Sequence, residues 1–529
     1  MITPLTPIDF KRRASKLYPD KTAIIDGDFT CTYQQLDERT WRLSNGLKGL
    51  GLNFGDHIAV MLPNTHQMIE CFYGIGQMGA VMVPLNIRLA EEEVFYILEH
   101  SDSKAIIVDS EFGALVERLR PRLTQIRTFI QVESGFESPL SAESYEVMLA
   151  GASSAAFSVD LDENQAITIN YTSGTTSKPK GVILTHRNNY INAADFLFHL
   201  RVVHEDVYLH TLPLFHANGW GGVWAITAMG GTHVCLRKVD PVVTLNLFVE
   251  KKVTLACGAP TVLNMLINAP GADQVKISTH PRMATAGSPP PAAVIDKVQK
   301  LFNMDVIHVY GLTEVSPFIT YCEWRAEFNA LSQEEQAKIK ARQGVEMAFN
   351  GETKVVRKDA IDVEWNGREI GEIVTRGNVV MEGYYKQPDQ TAAAIRDGWF
   401  YTGDLAVVYP NGYIEIVDRS KDVIISGGEN VSSVEVEGVL YEHPAILEVG
   451  VVAVPDEKWG EVPKAYIVLK ESMTLEAEEL RLWCRERMSH FKVPKIFEFV
   501  ESLPRTATGK LQKFRLREQN WKGNDKLVN

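Results

Sequence analysis

A chain of 529 residues, 45% of them hydrophobic, is long enough for a large core and for more than one domain. Its formal net charge of −13 argues against a general nucleic-acid binder, whose affinity depends on basic surface, so a polyanionic ligand would need a local cluster of cations, metal or backbone N–H groups. The six cysteines, Cys31, Cys71, Cys235, Cys257, Cys322 and Cys484, form no C-x-x-C pair and have no zinc spacing, which favours buried reduced thiols in a cytoplasmic protein.

The N-terminal stretch MITPLTPIDFKRRASK lacks the continuous apolar run of a secretory signal. AIIDGDFTCTY reads as a hairpin around Asp26 and Gly27. Thr32 and Gln35 then stand in capping-box spacing, Leu36, Leu43, Leu47 and Leu50 follow at roughly helical intervals, and Gly51 closes the helix. The run CFYGIGQMGAVMVPLNI, residues 71–87, is short and interrupted by Gly, Gln, Pro and Asn, so no transmembrane segment is expected. HIAVMLPN, GAVMVPLN and KAIIVDS are strand-like runs that alternate with helical stretches. That alternation predicts an α/β protein with layered, largely parallel sheets.

YTSGTTSKPKG, residues 171–181, follows the strand-like AITINY and precedes THRNNYINAADFLF, which opens as a helix at Thr185. The expected setting is a loop between a strand and a helix, where N–H groups and hydroxyls can converge on phosphate oxygens. Gly174 and Gly181 permit backbone shapes that a Cβ would forbid, and Lys178 and Lys180 add charge. The loop is not a Walker A motif, because G-x-x-x-x-G-K-[ST] is absent. Alone, this composition also suits an ordinary surface loop.

Later stretches add chemistry in order. VYGLTE (309–314) brings an aromatic ring, a turn glycine at Gly311, a hydroxyl and a carboxylate. WFYTGD (399–404) ends in a carboxylate suited to ribose hydroxyls. DRSKDVIISGGEN carries Arg419 and the pair Gly427 and Gly428, and RTATGKLQK carries Lys510. From GEIVTRGNVVMEGYY onward the pattern becomes alternating and strand-rich, predicting a β-subdomain. The polar DRSKD, 418–422, lies between two apolar strand patterns. It marks the expected boundary between a large domain, 1–418, and a small mobile α+β domain, 419–529.

With these motifs in this order, the sequence resembles the adenylate-forming superfamily of acyl-CoA synthetases, peptide-synthetase adenylation domains and beetle luciferases, over essentially the whole chain. The resemblance implies a reaction of a carboxylic acid with ATP to give an acyl-adenylate, followed by transfer of the acyl group to coenzyme A. It implies a loop of Thr172, Ser173, Gly174, Thr175, Thr176 and Lys180 over the β- and γ-phosphates. Tyr310 would stack on adenine, Thr313 would lie near the α-phosphate, and Glu314 would hold Mg²⁺. Asp404 and Arg419 would bind ribose, and Lys510 would reach the α-phosphate and the substrate carboxylate. Lys421 matches the hinge, and Gly427 and Gly428 would line the coenzyme A channel. One departure is Ser177, where the family usually has Gly. If φ is positive there, the cost is about 1 kcal/mol, so tuning is expected and not loss.

PLFHANGW (213–220) has no Asp beside Phe215 to pair with a substrate ammonium, which disfavours amino-acid activation. This stretch, with CGAPTVLNMLINAP, KARQGV and DEKWGE, resembles the branch of medium-chain fatty acyl-CoA ligases, plant acyl-activating enzymes and bacterial methylmercaptopropionate-CoA ligases. That likeness implies an acyl pocket lined by His216 and Trp220 with Gly287 opposite. Trp220 read alone also fits a core aromatic. The expectation is an AMP-forming acyl-CoA synthetase for a short- or medium-chain acid. A methylmercaptopropionate or aryl-acid ligase, a ligase loading a carrier protein, and a nucleotide-binding regulator are the alternatives, and a homodimer is left open. The ending KLVN is not a peroxisomal address, so the cytoplasm is the expected location.

Overall fold

The computed structural model describes residues 2–172, 178–287, 292–426, 429–456, 458–506 and 510–521. The chain forms two large sheets, a β-subdomain and a small C-terminal α+β unit. The hairpin is present as Thr22–Asp26 and Phe29–Thr32, and Gly27 at its turn has φ +59°. The helix Tyr33–Gly49 follows, with Thr32 and Gln35 closing the reciprocal capping box. Leu36, Leu43 and Leu47 on its inner face are fully buried, as the spacing requires.

An eight-stranded sheet places His57–Met61 at its centre, parallel to Val81–Pro84 on one side and Ala105–Asp109 on the other. A nine-stranded sheet contains the parallel run Asp305–Gly311, Arg282–Thr285, Leu255–Gly258, Val207–Leu209 and Thr232–Val234. The largest apolar core joins the two sheets through helices that include His66–Gln77, His186–His199 and Gly222–Met229. The tempting apolar run 71–87 therefore divides into the end of a helix, a turn and the strand Val81–Pro84. Among the described residues, no helix is long and apolar enough to cross a membrane.

The strands Gly371–Gly377, Trp399–Val408 and Ile414–Arg419 belong to an antiparallel β-subdomain. The C-terminal unit is built on the long antiparallel pair Ile446–Asp456 and Gly460–Leu469, with the helices Ser433–Tyr441 and Ala477–Arg487 and a separate apolar core. All six cysteines are buried and free.

One expectation needs correction. The loop after Thr172 does not lead from a strand into a helix. The strand Lys180–Thr185 follows it and pairs antiparallel with Ala166–Thr172, so the loop joins two strands of a hairpin. The helix does open at Thr185 as expected, capped through the Thr185 side chain and that of Asn188, but the strand Lys180–Thr185 stands between it and the loop. A helix dipole is therefore not what this loop directs at an anion.

Candidate active site

The carboxyl ends of the parallel strands share one edge of the nine-stranded sheet, where ligands of open α/β sheets bind. Asp305–Gly311 delivers Tyr310 and Gly311 to that edge. Gly311 is required sterically, because a Cβ there would stand 1.6 Å from the Pro317 carbonyl oxygen. A short turn, Thr313–Val315, then presents Glu314, with Thr313 buried.

The Tyr310 hydroxyl donates to Asp404 Oδ2 at 2.7 Å. Asp404 is 3% exposed and sits opposite Arg419 in the β-subdomain ladder, 3.1 Å from its Nε. The Asp404 carboxylate is the chief influence holding the Arg419 guanidinium in its charged form. Tyr384 donates its hydroxyl to Glu314 Oε1 at 3.0 Å, and Lys180 Nζ lies 4.6 Å from the centroid of the Tyr384 ring. Tyr384 thus links the cation of the hairpin to the carboxylate of the next turn. Sequence reading missed it: EGYY was visible only as part of a strand pattern.

Lys510 comes from the C-terminal unit yet lies within electrostatic range of Arg419, Asp404 and Glu314. Burial, then the Arg419 charge, pushes its amine down to about 8. Its main chain is pinned to Thr506, whose N–H donates to the Lys510 carbonyl and whose hydroxyl accepts from the Lys510 N–H. His216 feels the Lys510 charge, and burial first and Lys510 second push its imidazole down to about 4. At neutral pH, His216 can donate or accept a hydrogen bond but does not supply a cation.

Beyond His216 the backbone is unusual. Ala217, Asn218, Gly219, Trp220 and Gly221 have φ of 43°, 54°, 58°, 59° and 82° in succession. Left-handed backbone costs a non-glycine residue about 1–2 kcal/mol, and three of these five are not glycine. The side chain of Trp220 is 5% exposed and meets Phe318 edge-to-face at 5.4 Å. Gly287 follows the strand Arg282–Thr285 at the same sheet edge, exposed and with φ +95°.

Between the units, Asp418 accepts from the Ser433 N–H at 2.6 Å, and Asp422 pairs with Arg517. Lys513 bonds Glu437 at 2.8 Å and the Ser433 hydroxyl at 2.5 Å. Burial works to raise the Asp422 carboxyl, but Lys513 and Arg517 outweigh it and hold it low. Lys421 is exposed, and its carbonyl accepts from Arg517 at 3.1 Å. Asp418 and Asp422 are thus both tied to the C-terminal unit, while Arg419, between them, is tied to Asp404.

Of the sequence-predicted residues, Tyr310, Glu314, Asp404, Arg419, Lys510 and His216 form one charged neighbourhood, with Thr313 beside Glu314. Thr172 ends its strand next to the hairpin loop. Ser173, Gly174, Thr175, Thr176, Ser177, Gly427 and Gly428 lie outside the described residues.

Residues 10–385 match the family model described as AMP-binding enzyme, and residues 435–510 match that of the AMP-binding enzyme C-terminal domain. The chain is 42% identical to a 2-methylpropanoate–CoA ligase of Humulus lupulus over 533 residues, covering 98% of this chain and 95% of that protein. It is 41% identical to a 4-hydroxybutyrate–CoA ligase of Metallosphaera sedula, covering 97% of this chain and 94% of the other. Among solved structures, an anthranilate CoA ligase in complex with anthranoyl-AMP matches with a TM-score of 0.90 and 27% identity, over 98% of each chain.

Proposed function

Since the chain belongs to the AMP-binding enzyme family, we propose that it is an AMP-forming acyl-CoA synthetase, an acid–thiol ligase activating a short- or medium-chain carboxylic acid. The observation that carries this reading is the convergence of Lys510, from the small unit, on Glu314, Asp404, Arg419 and His216. An acid attacking ATP must bring two anions together. A part-buried ammonium between them offsets that repulsion, which is the positioning and electrostatic work this transfer needs. Lys510 is assigned to the α-phosphate and the substrate carboxylate, and Asp404 and Arg419 to the ribose. Tyr310, held by Asp404, supplies the face for adenine, and Thr172 and Lys180 flank the departing pyrophosphate.

Among the described residues, no three His, Cys, Asp or Glu side chains group as a metal site. A lone carboxylate suits Mg²⁺, which completes its shell with substrate phosphates and water. Glu314 is the residue to hold it, and the ion would neutralise phosphate charge. His216, neutral at pH 7, lies toward the acid. Coenzyme A is the acyl acceptor, with Gly427 and Gly428 assigned to its channel. The buried free thiols suit a reducing compartment, and the cytoplasm is the proposed location.

The pH dependence follows from Lys510. Its protonated form is the useful one, and with its amine held near 8, that form is lost as pH rises through about 8. The kcat/KM for ATP, which reports the free enzyme, should therefore fall above about pH 8. The limb in kcat should lie higher, because bound phosphates favour the ammonium. Lys510→Arg should abolish the limb, since arginine stays charged. A profile identical in both proteins would exclude this role.

The names of two of these relatives specify four-carbon acids, and Trp220 is a large group four residues after His216. Trp220→Ala should open room for several methylenes, each contributing up to about 0.8 kcal/mol when buried, less whatever collapse removes. The ratio of kcat/KM for C10 to C4 acids should rise, while ATP affinity without acid stays within a few-fold. An unchanged ratio in a folded variant would assign Trp220 to the core alone. The test of the function itself is AMP release in the presence of free coenzyme A, screened over C2 to C16 acids, aromatic acids and 3-methylmercaptopropionate. No acid-dependent release across the panel would overturn the reading.

A further inference from the structure

The left-handed turn that carries Trp220 is held by a buried amide network. Asn218 Nδ2 donates to Thr168 Oγ1 and to Asn189 Oδ1, both at 2.9 Å, and Asn218 Oδ1 accepts from Asn170 Nδ2 at 2.9 Å. Both amide protons and the carbonyl oxygen are thus used. Thr168 in turn donates to Asn170 Oδ1 at 2.8 Å. Asn192 Nδ2 donates to the Trp220 carbonyl at 3.2 Å, and its Oδ1 accepts from the Phe318 N–H at 3.4 Å. Thr168, Asn170, Asn189, Asn192 and Asn218 are each at most 2% exposed. Five polar side chains this deep are costly unless satisfied, and satisfied they fix one geometry.

The anchors belong to different elements. Thr168 and Asn170 lie two apart on one face of the strand Ala166–Thr172, which runs into the hairpin loop. Asn189 and Asn192 lie on the helix His186–His199, and Phe318 begins the strand after Glu314. The space is closed as well: a Cβ at Gly221 would stand 2.2 Å from Asn192 Nδ2, and one at Gly219 would stand 2.7 Å from Leu214 Cδ2.

We propose that Asn218, with Asn170, Asn189 and Asn192, is a positioning cluster that sets the depth of Trp220 and so the acyl chain length the enzyme selects. The indole alone does not define a rigid floor, because its backbone sits in a conformation that nothing in its own sequence enforces. The network supplies that enforcement and registers the floor against the strand leading to the hairpin loop. This rests on the reading that Trp220 closes the acyl pocket. The strand Ala166–Thr172 is also held independently of Asn218, by backbone ladders to Lys180–Thr185 and Val81–Pro84, so the nucleotide side should change little when Asn218 is altered.

The test compares Asn218→Gly, Asn192→Ala and Trp220→Ala by acid-dependent pyrophosphate release with C4 and C10 acids. Asn218→Gly retains a residue that accepts positive φ and removes only the amide, so a purely conformational role at 218 predicts no loss. The cluster predicts a fall of about tenfold or more in kcat/KM for the C4 acid, as misplaced contacts produce. It also predicts a C10:C4 ratio that rises as in Trp220→Ala, with KM for ATP within about threefold of wild type. Asn192→Ala, which frees the Trp220 carbonyl and leaves all three Asn218 bonds, should move the ratio the same way and decides the matter if Asn218→Gly does not fold. An unchanged ratio in both asparagine variants, with a shifted ratio in Trp220→Ala, overturns the cluster and leaves the pocket standing. An unchanged ratio in Trp220→Ala overturns both.

Discussion

Lys510→Ala should reduce acid-dependent pyrophosphate release by about 10²-fold or more, the scale seen when a preorganised charge contact is removed. The amine lies within electrostatic range of Arg419, Asp404 and Glu314 and acts on His216, the groups of the proposed adenylation site. In the thioester half-reaction the nucleotide bond is already made and the phosphate charge already settled. Supplied acyl-adenylate should therefore react with coenzyme A at a rate within a few-fold of wild type. Equal losses in both half-reactions would mean that Lys510 does not serve adenylation selectively, or that its unit does not turn between the steps.

The second large effect concerns that turning. Asp418 and Asp422 are bound to the C-terminal unit through Ser433 and Arg517, while Arg419 is bound to Asp404 on the large one. If the small unit turns between the steps, the backbone between these anchors, 420–421, is where the rotation would be absorbed. Lys421→Pro fixes φ there and also biases Ser420 away from helical backbone. Thioester formation should fall about tenfold or more, as when a step depends on a blocked rearrangement, while pyrophosphate release is much less affected. Lys421→Ala, which keeps φ free, should leave both steps near wild type. A proline variant that slows both steps equally would exclude a hinge at this position.

Much of the site could be read from sequence because each part is a short local pattern. Tyr310 to Glu314, Asp404, Arg419 and Lys510 each stand in a distinctive run of residues, and their roles come as a set. The capping box at Thr32 was legible for the same reason: its partner Gln35 lies three residues on. The setting of the phosphate hairpin was not. The helix does open at Thr185, but the six-residue strand Lys180–Thr185 between it and the loop is defined by its partner across the sheet, not by its own periodicity.

The left-handed turn was partly signalled, since Asn218, Gly219 and Gly221 are residue types that accept positive φ. Ala217 and Trp220 are not; the Trp220 carbonyl is held by Asn192 and its neighbour Asn218 by Thr168, Asn170 and Asn189, partners far off in sequence. Tyr384 was missed because its partners, Glu314 and Lys180, are distant in sequence.

The most direct test of the central claim is a product balance on the wild-type protein with ATP labelled at the α-phosphate, free coenzyme A and a four-carbon acid such as 2-methylpropanoate or butyrate. The account predicts one AMP and one acyl-CoA formed together, pyrophosphate in equal amount, and an acyl-adenylate in place of the thioester when coenzyme A is withheld. Label appearing in ADP, or acyl-CoA formed without AMP, would contradict it.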